Sequence, residues 1–220
     1  MIEIRNVSKK FRKDWYALKN INLSIEKGDF IFLTGQTGSG KTTLLRLIYM
    51  DIFPDEGEVA VAGYRSSTIK EWEIPYLRRR IGIIFQDFKL LPDKTVYENV
   101  AFALEVIGER GKKIREKVMQ ALTLVGLSHK RNDFPYTLSG GEQQKTAIAR
   151  ALVREPFILL ADEPTGNIDP EGSEEIIRLL QEVNTAGTAV LMATHAVELS
   201  KRIGGGRFIH IEHGEIVESR

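Results

Sequence analysis

The stretch Gly35-Gln36-Thr37-Gly38-Ser39-Gly40-Lys41-Thr42-Thr43 leaves a continuously apolar run, Phe30 to Leu33, and enters a helix-like segment, Leu44 to Tyr49. Its glycines let the backbone take positive φ and approach a ligand closely. Successive N–H groups and the following helix N-terminus then converge on phosphate oxygens. Lys41 is placed to reach the β- and γ-phosphates of a nucleotide, and the Thr42 hydroxyl to hold Mg²⁺. Gly, Ser and Thr also make ordinary turns; the strand before the loop and the helix after it decide for phosphate.

Working outward, Ile2 to Val7 and Ile21 to Ile25 alternate apolar with polar residues and predict two half-buried strands, with Phe30 to Leu33 as a central one. Between the first two, Lys9 to Tyr16 predicts a polar loop. Its aromatics either pack under a turn or form a stacking surface for a base. Glu58 to Ala62 follows the turn Asp51 to Gly57 as a short strand, and Ile81 to Phe85 reads as a buried strand ending on Gln86, a polar residue where an open α/β sheet faces its ligand. Arg78-Arg79-Arg80 predicts a solvated face. Val96 to Ile107 and Lys112 to Val125 show helical spacing with Gly108 and Gly126 as stops, which predicts a helical subdomain over about 88–140 inserted between 1–87 and 141–220. Strands return at Phe157 to Ala161 and Thr188 to Thr194, separated by a helix over Glu171 to Val183. The tail, Arg207 to Glu212 and Glu215 to Val217, reads as a hairpin around His213-Gly214.

At 220 residues the chain suits one domain carrying an inserted subdomain. Its 31 Lys+Arg stand against 30 Asp+Glu, a formal charge of +1, so no global basic field draws nucleic acid or anionic lipid. Cysteine is absent, which excludes disulfides, thiolate metal sites and thiol nucleophiles. No run approaches a bilayer-spanning length, and the expected location is cytoplasmic.

Asp162 and Glu163 close a buried strand, where a parallel sheet sets groups beside a phosphate-binding loop; the first acid suits the Mg²⁺ shell and the second can orient and deprotonate an attacking water. His195, closing another strand of the same sheet, is a candidate hydrogen-bond partner for the γ-phosphate or that water. Leu138-Ser139-Gly140-Gly141-Glu142-Gln143-Gln144-Lys145 leads into a helix and makes a second anion site at a helix N-terminus. One triphosphate does not need two cradles.

That stretch resembles the signature motif of the ATP-binding-cassette family, and the family's other motifs occur in its order over nearly the whole chain. Gly35 to Thr43 is similar to the Walker A loop, Gln86 to the Q-loop glutamine, Phe157 to Glu163 to the Walker B strand, Asn167-Ile168-Asp169 to the D-loop and His195 to the switch histidine; Phe11 falls at the adenine-stacking aromatic. The resemblance implies an α/β P-loop NTPase fold of this type, with a mostly parallel core sheet, an N-terminal antiparallel β part and an inserted helical subdomain. It further implies ATP and Mg²⁺ as ligands, with Thr42, Gln86 and Asp162 around the metal and Glu163, His195 and Gln86 in hydrolysis. Two copies would pack head to tail, so that Ser139, Gly140, Gly141 and Glu142 meet nucleotide held by the other copy. Gln36, Lys145 and Ala196 depart from the commonest residues without removing a group that hydrolysis needs.

Within the family, Ile74 to Gly82 and Gln86 to Val100 look most like the members that act in bacterial cell division, which implies a peripheral place at the inner face of the cell membrane beside an integral membrane partner. ATPases of transporters for lipoproteins, macrolides or amino acids share much of Gln86 to Val100. Soluble cassettes of DNA repair or translation usually carry a coiled-coil insertion or two cassettes per chain, and this sequence has neither; no nucleic acid is expected. Phe88, Leu90 and Leu91 suggest a groove for a cytoplasmic helix of the partner, or an interdomain core.

Overall fold

The fold follows from a sheet buried on both faces. The computed structural model describes residues 1–12 and 15–219. Its elements run β1 (Ile2–Arg12), β2 (Trp15–Ile25), β3 (Phe30–Thr34), α1 (Lys41–Ile48), β4 (Glu56–Val61), β5 (Tyr64–Arg65), α2 (Ile74–Arg78), β6 (Ile81–Ile84), α3 (Val96–Glu105), α4 (Lys112–Leu124), α5 (Gly140–Leu152), β7 (Ile158–Asp162), α6 (Pro170–Thr185), β8 (Ala189–Thr194), α7 (Val197–Ile203), β9 (Arg207–Glu212) and β10 (Glu215–Ser219).

Six strands form the central sheet in the order β10-β9-β3-β8-β7-β6, parallel except for the β10 edge. Successive residues of a strand point to opposite faces, and here each face has its own apolar layer. Phe30, Phe32, Leu159, Ala161, Val190 and Met192 join the layer containing α3 to α6. Ile31, Leu33, Ile158, Leu160, Leu191 and Ala193 join the layer with α1 and the second sheet. That second sheet is antiparallel, in the order β2-β1-β4-β5.

The predicted polar loop over Lys9 to Tyr16 is a correction. Lys9 to Arg12 extend β1 and Trp15 to Tyr16 open β2, with Lys10 opposite Tyr16 and Arg12 opposite Trp15. Backbone pairing carries a ladder without an apolar face, and register shifts in this hairpin erase the period-two signal. Arg79 and Arg80 are exposed, as the solvated-face reading expects, and only Arg78 is partly buried. Arg78 donates to the Tyr49 and Met50 carbonyls, Arg79 lies over the Tyr76 ring and Arg80 over the Phe157 ring.

Parallel register decides where the chemistry gathers. Thr34 pairs with Thr194 and Asp162 with Ala193, so β3, β7 and β8 end together and deliver the phosphate-binding loop, Asp162-Glu163 and His195 to one edge.

Candidate active site

The loop from Gly35 to Gly40 turns on residues few side chains tolerate. Gly35 (φ 148°), Gly38 (φ 82°) and Gly40 (φ 114°) all have positive φ. A Cβ on Gly40 would stand 2.5 Å from the Ala17 carbonyl oxygen, so the loop rests directly on β2. Lys41, only 6% exposed, donates through Nζ to the carbonyls of Gly35 at 2.7 Å and Gln36 at 3.1 Å. A buried cation satisfied chiefly by neutral carbonyls suits an anionic ligand. The Ser39 hydroxyl oxygen is buried and has no hydrogen-bond partner among the described residues, a polar group of this loop left free.

Across from the loop, the Thr42 hydroxyl donates to Asp162 Oδ1 at 3.1 Å. Burial raises the Asp162 pKa, with Glu163 adding to the rise and the Thr42 hydrogen bond and Lys41 opposing it. A carboxylate that is costly to keep charged beside a hydroxyl is a pair that a hard cation would relieve. Glu163 holds a left-handed backbone at φ 48°, uncommon outside glycine. Its Oε2 accepts from the His195 backbone N–H at 3.2 Å and lies 2.6 Å from His195 Nδ1, while Oε1 is 3.5 Å from Lys41 Nζ. With the proton on Nδ1, His195 donates to this carboxylate and fixes its direction.

A cavity of about 280 Å³ is bounded by Thr37, Gly38, Gly40, Lys41, Thr42 and Thr43 of the loop together with Gln86, Glu163, His195, Ala17 and Trp15. Gln86 is exposed, and its carbonyl accepts from Asn167 Nδ2 at 3.0 Å. Phe11 is not among the lining residues. Its ring stands 5.9 Å from that of Trp15, and both are half exposed at the cavity rim.

Ser139, Gly140, Gly141 and Glu142 do not line this cavity either. They begin α5, where Ser139 and Glu142 form a reciprocal capping box and Glu142 also pairs with Lys130 at 2.8 Å. These contacts hold Glu142 well below the usual carboxylate range, the Lys130 hydrogen bond contributing most. An added Cβ on Gly141 would meet nothing within 4 Å, so the helix N-terminus is open on that side. Asp169 caps α6 by accepting from Gly172 N–H at 2.9 Å.

Three site-shaping residues escape sequence reading. Trp15 lines the cavity where Phe11 was the aromatic singled out. Asn99, fully buried on α3, donates to the carbonyls of Leu91, Lys94 and Thr95 and accepts from Leu91 N–H, fixing the segment after Gln86. Arg150, from α5, donates to the carbonyls of Phe88 and Lys89. A polar residue inside an apolar helix face was the only available signal for Asn99.

Comparison with known proteins gives a consistent picture. The family described as ABC transporter matches residues 18–166. The cell division ATP-binding protein FtsE of Streptococcus pneumoniae is 48% identical over 217 residues, covering 99% of this chain and 94% of its own. FtsE of Bacillus subtilis is 48% identical over 222 residues, covering 100% of this chain and 97% of its own. Among solved structures, a dimeric ATP-binding cassette in a post-hydrolysis state bound to ADP and Pi superposes with a TM-score of 0.88 at 37% identity, over 100% of this chain and 98% of the other.

Proposed function

We propose that the chain, which belongs to the ABC transporter family and is an ATPase most like FtsE, works as a head-to-tail homodimer that drives an FtsX-type integral membrane partner in cell division. No helix among the described residues is long and apolar enough to cross a membrane, so this reading sets the chain at the inner face of the cell membrane through that partner. The observation that carries it is the separation of two anion-binding surfaces. The phosphate-binding loop, Asp162, Glu163 and His195 share one edge of the sheet, whereas the Ser139 to Glu142 helix start lies outside that cavity. A second copy places its own helix start over the first copy's nucleotide, and one ATP-binding surface is completed by the other.

In this reading Lys41, the loop N–H groups and the start of α1 hold the phosphates. Thr42 and Asp162, with Gln86, would hold Mg²⁺, which supplies charge neutralisation on the phosphate oxygens. Glu163 accepts the proton of the attacking water while His195, at 2.6 Å, keeps its carboxylate aimed. The aromatic pair of Phe11 and Trp15 receives the base. Asp169 and Asn167 couple the Glu163 strand to the dimer seam and to Gln86. The partner docks in the groove beside Leu91, Phe102 and Val106.

Glu163→Gln tests the assignment. Removal of a general base costs about 10² to 10⁴ in rate, and the variant is expected to retain ATP binding and to run as a dimer in ATP during size-exclusion chromatography. Unchanged turnover, or a monomer in ATP, refutes the roles given to Glu163 and to the dimer. The transporter-ATPase alternative keeps the same chemistry; recovery of a substrate-translocating permease with the detergent-solubilised chain would establish it instead.

A further inference from the structure

A groove of about 530 Å³, larger than the nucleotide cavity, opens between α2, β6, α3 and α5. Its apolar floor includes Phe102 and Val106, left 41% and 61% exposed. Arginines and a lysine also line it, and no Asp or Glu does. Most of these cations are already engaged. Arg78 serves the Tyr49 and Met50 carbonyls, Lys89 pairs with Asp87 at 2.6 Å, and Arg150 serves the carbonyls of Phe88 and Lys89.

Arg79 and Arg154 are different. Among the described residues no carboxylate pairs with either; Arg79 lies over the Tyr76 ring at 5.0 Å, and Arg154 reaches only the Ile81 carbonyl, at 3.5 Å. Arg154 Nε is buried with no hydrogen-bond partner among the described residues. Burial and the Arg79 charge both lower the Arg154 pKa, so the two guanidinium groups are unneutralised neighbours. A buried donor without an acceptor is destabilising, the more so when charged. An anion in the groove removes that cost.

We propose that the segment this groove receives is an amphipathic helix carrying carboxylates that meet Arg79 and Arg154, with its apolar face on Phe102 and Val106. The inference rests on the reading of the groove as the membrane partner's docking site and adds the chemistry of what docks. Free phosphate or a lipid headgroup would satisfy the arginines and leave the apolar floor bare. A carboxylate-bearing helix covers both, and the charge match sets its register along the groove.

The experiment uses the full chain and a fluorescein-labelled amphipathic helical peptide with Leu and Phe on one face and Glu at its edge, against versions with Gln or Lys there. The Glu version is expected to bind about tenfold tighter than the Lys version, as partly buried ion pairs allow, with the margin shrinking in salt. Arg79→Gln with Arg154→Gln should erase the preference while thermal unfolding and ATP binding stay unchanged. Equal affinities, no binding of any version, or a preference that survives the double variant overturns the proposal. Arg79- and Arg154-dependent binding to phosphatidylglycerol vesicles without a peptide preference assigns the anion to lipid and overturns it as well. Co-purification with a co-expressed FtsX-type protein separates the two levels. Recovery untouched by the arginine changes but lost on Phe102→Asp overturns the charge match and keeps the docking site; a persistent Glu preference with no recovery by the unaltered chain supports the charge match and refutes the partner.

Discussion

Arg150→Met perturbs the contact that joins the signature helix α5 to the turn after Gln86. Arg150 donates to the Phe88 carbonyl at 2.7 Å and to that of Lys89, and both residues hold left-handed backbones, φ 57° and 50°. That conformation costs roughly 1–2 kcal/mol per non-glycine residue. A hydrogen bond from a charged donor contributes about 1.5–3 kcal/mol, so the two bonds offset the strain of the turn. Without them, and with the turn kept in place by its neighbours, the chain is expected to lose about 3 kcal/mol or more in urea unfolding, since both bonds go and the strain stays. Lys89→Gly in the Arg150→Met background lowers the cost of the native turn and should return about 1 kcal/mol; Lys89→Ala keeps the penalty and should return none. A loss within about 0.5 kcal/mol, the spread of ordinary surface substitutions, refutes the reasoning. So does equal recovery by Ala and Gly.

A Cβ on Gly35 would stand 2.3 Å from the Ile211 carbonyl oxygen and 2.6 Å from Ser39 Oγ; Gly35→Ala is therefore expected to displace the loop and weaken ATP binding by about tenfold or more, read by titration calorimetry. Asn99→Ala leaves the Leu91 and Lys94 carbonyls without their donor and should cost about 3 kcal/mol in urea unfolding. Glu142, with its pKa held below that of an ordinary glutamate, contributes stability above the ordinary value and loses it as pH falls through the lowered one. Melting curves of the unaltered chain and Glu142→Gln should accordingly differ at neutral pH and converge in acid; a gap that persists in acid refutes the link.

The central strands were legible because burial on both faces writes a continuous apolar run, as in Phe30 to Leu33 and Ala189 to Ala193. Gly126 was legible as a stop because a left-handed residue ends α4 there, with Leu127 N–H returning to the Leu122 carbonyl. Lys9 to Tyr16 was not, since its strands are held by backbone pairing and its side chains carry no apolar alternation. The short helix α2, with Pro75 in its first turn, and α7 offer too few residues for a helical period. Residue types at the phosphate-binding loop, Asp162, Glu163 and His195 pointed to the site, whereas the ties from Arg150 and Asn167 span distances in sequence that no local pattern encodes. The Phe88-Leu90-Leu91 junction divides: Leu91 lines the groove, and Phe88 and Leu90 do not.

The strand that carries the phosphate-binding loop pairs on one side with β8, Phe30 opposite Val190, and on the other with β9, Ile31 opposite Arg207. Both neighbours are made long after it, from Ala189 onward. While the ribosome extends the chain from residue 35 to residue 188, the loop sequence exists without the sheet that shapes it, and loop-closure entropy delays pairing even after release. The loop therefore takes its shape only after both of these strands have been made. A chain cut short before β8 carries every glycine of the loop but neither of the strands that flank β3.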